Sequence, residues 1–197
     1  MVIPLVFITM CAIANVAPQT VAAIIQVESQ GDPLALNING AIASQPHPTT
    51  EKEALAAISA ATAQGASVDI GLMQVNTANV FRLGYTVKDM LDPCTNIKVG
   101  SIILSDDYRN AVAVAPAGQQ ALKAALSAYN TGNFRSGFDN GYVAQYFGGR
   151  VQGPGAPNRS LTQNPFTSST TIFHRSEPHA AFGNATAPTA AGTWPAD

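Results

Sequence analysis

The stretch that most constrains how this chain folds is residues 18–32, which reads P-Q-T-V-A-A-I-I-Q-V-E-S-Q-G-D. Pro18 suits the first turn of a helix, where its missing N–H costs nothing. Gly31 suits the left-handed position that ends a helix. Between them, apolar side chains recur at helical spacing, at Val21, Ile24 and Ile25. The stretch therefore predicts one helix with a single apolar face.

The next position on that apolar face is Glu28, which is the only carboxylate inside the predicted helix. It lies in the last turn, where the negative end of the helix dipole disfavours an anion. Desolvation on an apolar face acts in the same direction, so both effects raise the pKa of the carboxyl group. A partly protonated glutamic acid is what general acid catalysis needs. The simpler interpretation is a solvated glutamate at a helix end. Only the rest of the chain distinguishes this from a catalytic acid.

The composition limits the classes of partner. Charged residues make up 11% of the 197 residues, and the formal net charge is −2. This gives no electrostatic basis for binding nucleic acid or an anionic membrane, whereas a neutral polymer such as a glycan is easier to accommodate. The two cysteines belong to no C-x-x-C pair and the three histidines are scattered, so we expect no metal and no cofactor.

Residues 1–17 form an apolar run that is too short and too interrupted for a membrane span. A signal peptide is one interpretation, with A-I-A at residues 12–14 as a passable cleavage site. Against it, no Lys or Arg precedes the run, and cleavage there would remove Cys11. We favour a short apolar helix that is retained in the fold, with a signal peptide as the alternative.

Two segments predict extended structure. Residues 33–50 predict a loop or a short hairpin, with Asn39-Gly40 as the turn signal. Residues 66–76 predict an extended stretch that passes into a tight turn, because apolar residues alternate before a glycine. A helix between them, over residues 51–64, begins with a capping box formed by Thr50 and Glu53.

The remaining signals predict further helices over residues 77–83, 94–113, 119–130 and 138–147. The fold class is therefore mainly α, with a short hairpin or extended segment, in one domain over residues 1–148. Residues 149–197 are rich in Pro, Gly, Ser, Thr, Ala and Asn and poor in large apolar side chains. That composition predicts a flexible tail.

Three short motifs stand out: Glu28-Ser29, then Gly71-Leu72-Met73-Gln74 with Val75-Asn76, then Ala128-Tyr129-Asn130. In this order and spacing they resemble the E-S, G-L-M-Q and A-Y-N motifs of the soluble lytic transglycosylases, which have a lysozyme-like fold. The resemblance covers about residues 12–147. The D-P-C-x-N segment (Asp92, Pro93, Cys94, Asn96), the early cysteine and the 42 residues between Glu28 and Gly71 resemble the small members of type IV secretion systems.

This resemblance implies a role for each motif residue. Glu28 would protonate the oxygen between N-acetylmuramic acid and N-acetylglucosamine, and would then take the proton of the C6 hydroxyl as a 1,6-anhydro ring closes. Most retaining glycosidases use a second carboxylate roughly 5 Å away, whereas this family relies on the substrate's own N-acetyl oxygen. The supporting residues would be Ser29 at the catalytic turn, Met73 as an apolar cleft contact, Gln74, Asn76 and Asn130 toward the sugar, and Tyr129 with its hydroxyl on Glu28.

The resemblance also implies a Cys11–Cys94 disulfide, in keeping with a substrate outside the cytoplasm, where disulfides persist. We expect a monomer of the periplasm or cell envelope that acts on peptidoglycan strands, with secretion-system subunits as further partners. Two alternatives stay open. The chain is a hydrolase, a muramidase in which Asp69 positions water, or it is a non-enzymatic subunit that binds peptidoglycan as a scaffold.

Overall fold

The computed structural model describes residues 2–40 and 44–147. Most of this part of the chain is helical, and a small antiparallel sheet lies beside the helices. The helices are α1 (Leu5–Cys11), α2 (Pro18–Glu28), α3 (Glu51–Ala63), α4 (Thr77–Arg82), α5 (Pro93–Ala111), α6 (Gln119–Thr131) and α7 (Ser136–Asp139), with short 3-10 helices at Asp89–Leu91 and Val143–Tyr146. The strands are β1 (Leu36–Ile38), β2 (Val68–Ile70) and β3 (Val75–Asn76). The predicted fold class, mainly α with a short extended segment, is confirmed.

Helix α2 forms as its sequence predicts. Pro18 occupies the first turn, and the apolar stripe of Val21, Ile24 and Ile25 is buried. The helix ends at Glu28, and two left-handed residues follow, Gln30 with φ 58° and Gly31 with φ 82°. The chain therefore turns sharply just beyond Glu28, so that this carboxylate lies at the end of a buried helix.

The sheet has the order β1-β2-β3, and both pairs are antiparallel. The sequence predicts a loop or a short hairpin over residues 33–50. Strand β1 pairs instead with β2, which lies beyond α3, and the described residues of this segment contain no second strand. The other edge of β1 is filled by a side chain: Oε1 of Gln45 accepts from the N–H of Ile38 at 2.7 Å, and its Nε2 donates to the Ile38 carbonyl at 3.0 Å. The prolines after Gln45 cannot donate to a strand ladder.

The predicted helix starts are confirmed at α3 and α5. Oγ1 of Thr50 accepts from the N–H of Glu53 at 3.2 Å, although the Glu53 carboxylate returns to the N–H of Thr49. Asp92 caps α5 through the N–H of Thr95 at 2.8 Å. Side-chain oxygens thus satisfy N–H groups that have no partner inside the helix.

A disulfide joins Cys11 at the end of α1 to Cys94 in the first turn of α5, with 5.0 Å between the Cα atoms. The predicted pairing is confirmed. Helix α1 also buries Ile8 completely against the core, and it contacts both α2 and α5. The N-terminal apolar segment is therefore part of the folded domain in this structure.

The single helix expected over residues 138–147 is wrong. Helix α7 ends at Asp139, and a 3-10 helix begins at Val143. Between them Gly141 has φ 81°, and Oδ1 of Asn140 accepts from the N–H of Tyr142 at 2.9 Å. This Asn-Gly turn redirects the chain and sets the direction of the Tyr142 side chain.

The predicted tail, residues 149–197, lies outside the described residues. Among the helices that the structure describes, none is long and apolar enough to cross a membrane.

Candidate active site

The three motifs meet at one place. Oγ of Ser29 donates to the carbonyl of Leu72 at 2.8 Å, which joins the end of α2 to the turn between β2 and β3. On the other side of this turn, the hydroxyl of Tyr129 donates to the carbonyl of Met73 at 2.7 Å. These two hydrogen bonds span 43 and 56 positions of sequence, and both end on one tight turn.

A buried asparagine holds this turn from within. Asn96 is fully buried; its Nδ2 donates to the carbonyls of Ile70 and Met90, and its Oδ1 accepts from the N–H of Met73 at 2.8 Å. Gly71 has φ 74°, and a Cβ atom there would lie 2.4 Å from Nδ2 of Asn96. No side chain fits at residue 71 without displacing Asn96 or the backbone. The D-P-C-x-N segment therefore serves the site directly, a role that the sequence did not suggest.

Glu28 is held by a residue that the sequence analysis missed. The hydroxyl of Tyr142 donates to Oε1 of Glu28, and the hydroxyl of Tyr146 donates to that of Tyr142 at 2.6 Å. The expected bond from Tyr129 to Glu28 is wrong, because Tyr129 has one hydroxyl proton and gives it to Met73. Tyr142 had no motif to mark it, although the Asn140-Gly141 dipeptide is a turn signal that argued against a continuous helix.

The surroundings of Glu28 favour its neutral form. Burial raises the pKa of Glu28 to about 7; the hydrogen bond from Tyr142 lowers it, and the negative charge of Asp69 raises it further. The side chain nevertheless keeps some exposed surface. Tyr129 stays a neutral donor, because burial and the negative charges of Glu28, Asp107 and Asp69 raise its pKa well above the usual value.

Asp69, on β2, is a carboxylate whose negative charge acts on Glu28. Its Oδ2 accepts from Nδ2 of both Asn37 and Asn39 at 3.0 Å, and its Oδ1 accepts from Nδ2 of Asn76 at 2.6 Å. Three amide donors fix the position of this carboxylate. Asp69 therefore supplies a fixed negative charge close enough to act on Glu28.

The structure gives Gln74 a role in the turn. Gln74 has φ 48°, and its Nε2 donates to the carbonyls of Ala35 and Gly71 at 3.0 and 2.9 Å. Both amide protons are therefore used inside the protein, so the expected contact of the Gln74 amide with a sugar falls to its oxygen. Oε1 of Gln74 can still accept a hydrogen bond. A left-handed non-glycine residue costs conformational energy, which these two bonds help to offset.

The other expected substrate contacts divide into buried and exposed residues. The Met73 side chain is fully buried against Gly100 of α5, so the expected cleft contact is wrong and the residue is part of the core. Ser29 is buried at the junction of the motifs. Asn76 caps α4 through the N–H of Ala78, besides its bond to Asp69. Asn130 is exposed and accepts from Asn140 at 3.0 Å, which leaves its N–H group available.

Within the described ranges, no group of three or more His, Cys, Asp or Glu side chains could hold an ion. A separate cavity of about 560 Å³ lies between α6 and α7, lined among others by Lys123, Phe134 and Phe138. It contains none of the motif side chains.

Comparison with known proteins gives the family. The profile described as the transglycosylase SLT domain matches residues 6–146, which is most of the chain and nearly all of the described part. The chain belongs to the SLT transglycosylase domain family. The soluble lytic transglycosylase resemblance and the lysozyme-like fold class are thereby confirmed. No solved structure matches this SLT domain.

The similar curated proteins carry one name. The type IV secretion system protein virB1 of Brucella suis biovar 1 (strain 1330) is 43% identical over 136 residues, which cover 68% of this chain and 56% of that protein. Protein virB1 of Agrobacterium fabrum (strain C58) is 41% identical over 129 residues, which cover 66% of this chain and 52% of that protein. The SLT chain thus spans little more than half the length of these relatives.

Proposed function

We propose that this protein is a lytic transglycosylase, which cleaves the β-1,4 bond between N-acetylmuramic acid and N-acetylglucosamine in peptidoglycan without consuming water. The observation that supports the proposal most directly is the environment of the Glu28 carboxyl group, which raises its pKa. Its carboxyl group lies beside the motif turn, Tyr142 holds it, and burial raises its pKa to about 7. Such a group gives and takes a proton near neutral pH, as a residue that acts first as acid and then as base must.

In the first half of the reaction, Glu28 donates its proton to the glycosidic oxygen while the bond from that oxygen to C1 of N-acetylmuramic acid breaks. The N-acetyl oxygen of the same sugar stabilises the positive charge at C1. In the second half, the ionised Glu28 takes the proton of the C6 hydroxyl, whose oxygen bonds to C1 and closes the 1,6-anhydro ring. Glu28 ends protonated, as it began.

The remaining residues of the site would position these groups. Ser29 and Tyr129 hold the turn from both sides, and Asn96 holds it from below. Asn130, with its exposed amide, and Oε1 of Gln74 would contact the glycan. The net charge of −2 leaves an uncharged glycan strand as a more suitable ligand than an anionic polymer.

Hydrolysis by a muramidase is the second candidate, and one observation favours it. Asp69 is held in place by three amide donors, and its charge acts on Glu28. A fixed carboxylate near the acid is what a hydrolase needs to position water. The two candidates differ in their products, because hydrolysis adds a water and leaves a reducing end, whereas transglycosylation leaves an anhydro end.

We further propose that the cleavage locally opens the cell wall for a type IV secretion apparatus in the periplasm or cell envelope. The similar Brucella suis protein is named type IV secretion system protein virB1, which supports this setting. The Cys11–Cys94 disulfide supports it too, because such bonds persist in oxidising compartments.

The decisive experiment digests purified sacculi with the wild-type protein and with Glu28→Gln, and analyses the products by mass spectrometry. Wild type should yield anhydro ends, and Glu28→Gln should lower the rate by about 100-fold or more, because the amide cannot donate the proton. Glu51→Gln, at an exposed glutamate of α3, is the matched control and should cleave normally. Reducing ends would identify the muramidase, and binding without products would identify a scaffold subunit.

A further inference from the structure

Two tyrosine hydroxyls form a chain that ends on Glu28. The hydroxyl of Tyr146 donates to that of Tyr142 at 2.6 Å, and the hydroxyl of Tyr142 donates to Oε1 of Glu28. Tyr146 is fully buried and Tyr142 is 6% exposed. Their rings meet edge to face, with 5.2 Å between the centroids. Because the phenols are four positions apart on either side of a 3-10 turn, both hydroxyls reach the same carboxylate region.

The direction of this chain follows from the proton count. A phenol has one proton to donate. Tyr142 gives its proton to Glu28, so its oxygen acts as an acceptor toward the proton of Tyr146. Accepting a hydrogen bond polarises the O–H bond of Tyr142 and makes it a stronger donor, by about 10–30% in condensed-phase estimates.

We propose that Tyr146 is a positioning residue for Glu28: acting through the hydroxyl of Tyr142, it stabilises the ionised form of the Glu28 carboxylate and aims its Oε1 atom. This inference rests on the proposed function, in which Glu28 must be ionised for the second half of the reaction. A carboxylate in a mostly buried site needs donors that favour its charge, because burial alone would leave it protonated. The tyrosine chain supplies one such donor, the hydroxyl of Tyr142, from inside the core.

The other described groups near Glu28 do not stabilise its ionised form. Asp69, on β2, adds a negative charge that favours the neutral acid. Tyr129, on α6, gives its proton to the carbonyl of Met73. Among the described residues whose influence on Glu28 is resolved, only the bond from Tyr142 favours the ionised form. Tyr146 therefore supports the one contact that opposes burial.

The test measures the pKa of Glu28 without any substrate. The chain has four glutamates, at positions 28, 51, 53 and 177, so carbon-13 labelling of the glutamate carboxyl groups gives few signals to resolve by NMR. The signal of Glu28 is assigned by its loss in Glu28→Gln. Tyr146→Phe should raise the pKa of Glu28 by about 0.1–0.6, and Tyr142→Phe, which removes the direct donor, should raise it by about 1 or more.

A matched control is Tyr108→Phe, which removes a phenol hydroxyl from α5 that accepts from the N–H of Gly118. It should leave the pKa of Glu28 unchanged. If Tyr146→Phe also leaves that pKa unchanged while Tyr142→Phe raises it, Tyr146 is only a core residue and the proposal is overturned. The titration uses no glycan, so loss of the proposed cleavage activity would not affect its outcome.

A second variant should shift the pKa of Glu28 in the opposite direction, and it tests the proposal even if Tyr146→Phe does not fold. Site-specific replacement of Tyr146 by 3-fluorotyrosine keeps the ring and makes the hydroxyl a stronger donor. It should lower the pKa of Glu28, whereas a purely structural role predicts no change. An increase would contradict the proposed direction of the chain.

Discussion

Oδ1 of Asn96 accepts a hydrogen bond from the main-chain N–H of Met73 at 2.8 Å, across 23 positions of sequence. The same side chain also donates to two carbonyls, those of Ile70 and Met90. A single buried amide thus makes two bonds at the turn that the motifs share and a third to the carbonyl of Met90. The shape of this turn depends on α5 as much as on the turn's own residues.

Asn96→Ala should therefore damage stability and the site together. It removes the hydrogen bonds of the Asn96 side chain to three buried main-chain groups, and we expect the free energy of unfolding to fall by about 3–5 kcal/mol. Chemical denaturation measures the loss. Asn110→Ala, at an exposed position near the end of α5, is the control and should change stability little. Equal stability of the two variants would show that Asn96 does not hold the turn.

Glu28→Gln should make the protein more stable at alkaline pH. The folded state raises the pKa of Glu28 from 4.5 to about 7, so folding favours the protonated acid. The stability from this group is full below about pH 4.5 and is lost as pH rises to about 7. The neutral amide escapes this loss, so Glu28→Gln should exceed wild type by about 3 kcal/mol at pH 8 and match it near pH 4. Denaturation at several pH values would reveal a constant difference if burial of Glu28 were not the cause.

Asp107, on α5, should also make the free energy of unfolding depend on pH. Its Oδ2 atom is buried and has no hydrogen-bond partner among the described residues, and burial, with the charge of Asp106, raises its pKa to about 7 although Arg82 lowers it. Asp107→Asn should stabilise the protein above pH 7 by up to about 4 kcal/mol, and the gain should vanish toward pH 4. Asp106→Asn breaks an exposed pair with Arg109 and should change stability by about 1 kcal/mol or less. A gain for Asp107→Asn that did not depend on pH would contradict this account.

The disulfide should contribute a large share of the stability. Cys11 and Cys94 are 83 positions apart, and closing such a loop stabilises by about 4–5 kcal/mol in the chain-entropy model. The Cys11→Ala, Cys94→Ala double variant should lower the denaturation midpoint to that of wild type under a reducing agent. The prediction would be contradicted if wild type, once shown to contain the disulfide, had the same denaturation midpoint with and without the reducing agent.

Removal of the residues after about 150 should leave glycan cleavage unchanged. The SLT match ends at residue 146, and the composition beyond it offers few large apolar side chains to pack. The truncated and full chains should digest sacculi at the same rate and unfold at the same temperature. A large fall in that temperature would mean that the removed segment packs on the domain.

The sequence by itself determined the elements whose signals are local. Pro18 and Gly31 bound α2, Asp92 caps α5, and the apolar spacing in α2 fixes which face is buried. These features depend on residues within one or two turns of each other, so a reader of the sequence has all the information. The motif order identified the family on the same basis, since it needs only spacing along the chain.

Only the tertiary structure decided which side chains reach Glu28. The hydroxyl of Tyr129 donates to the carbonyl of Met73. The hydroxyl of Tyr142 donates to the Glu28 carboxylate, 114 positions away in sequence. That choice depends on a left-handed glycine at residue 141, which sets the direction of the chain before Tyr142. The strand partner of β1 was likewise decided across α3. A hydrogen bond requires direction as well as proximity, and the direction of a side chain from a distant element follows from packing that no local pattern records.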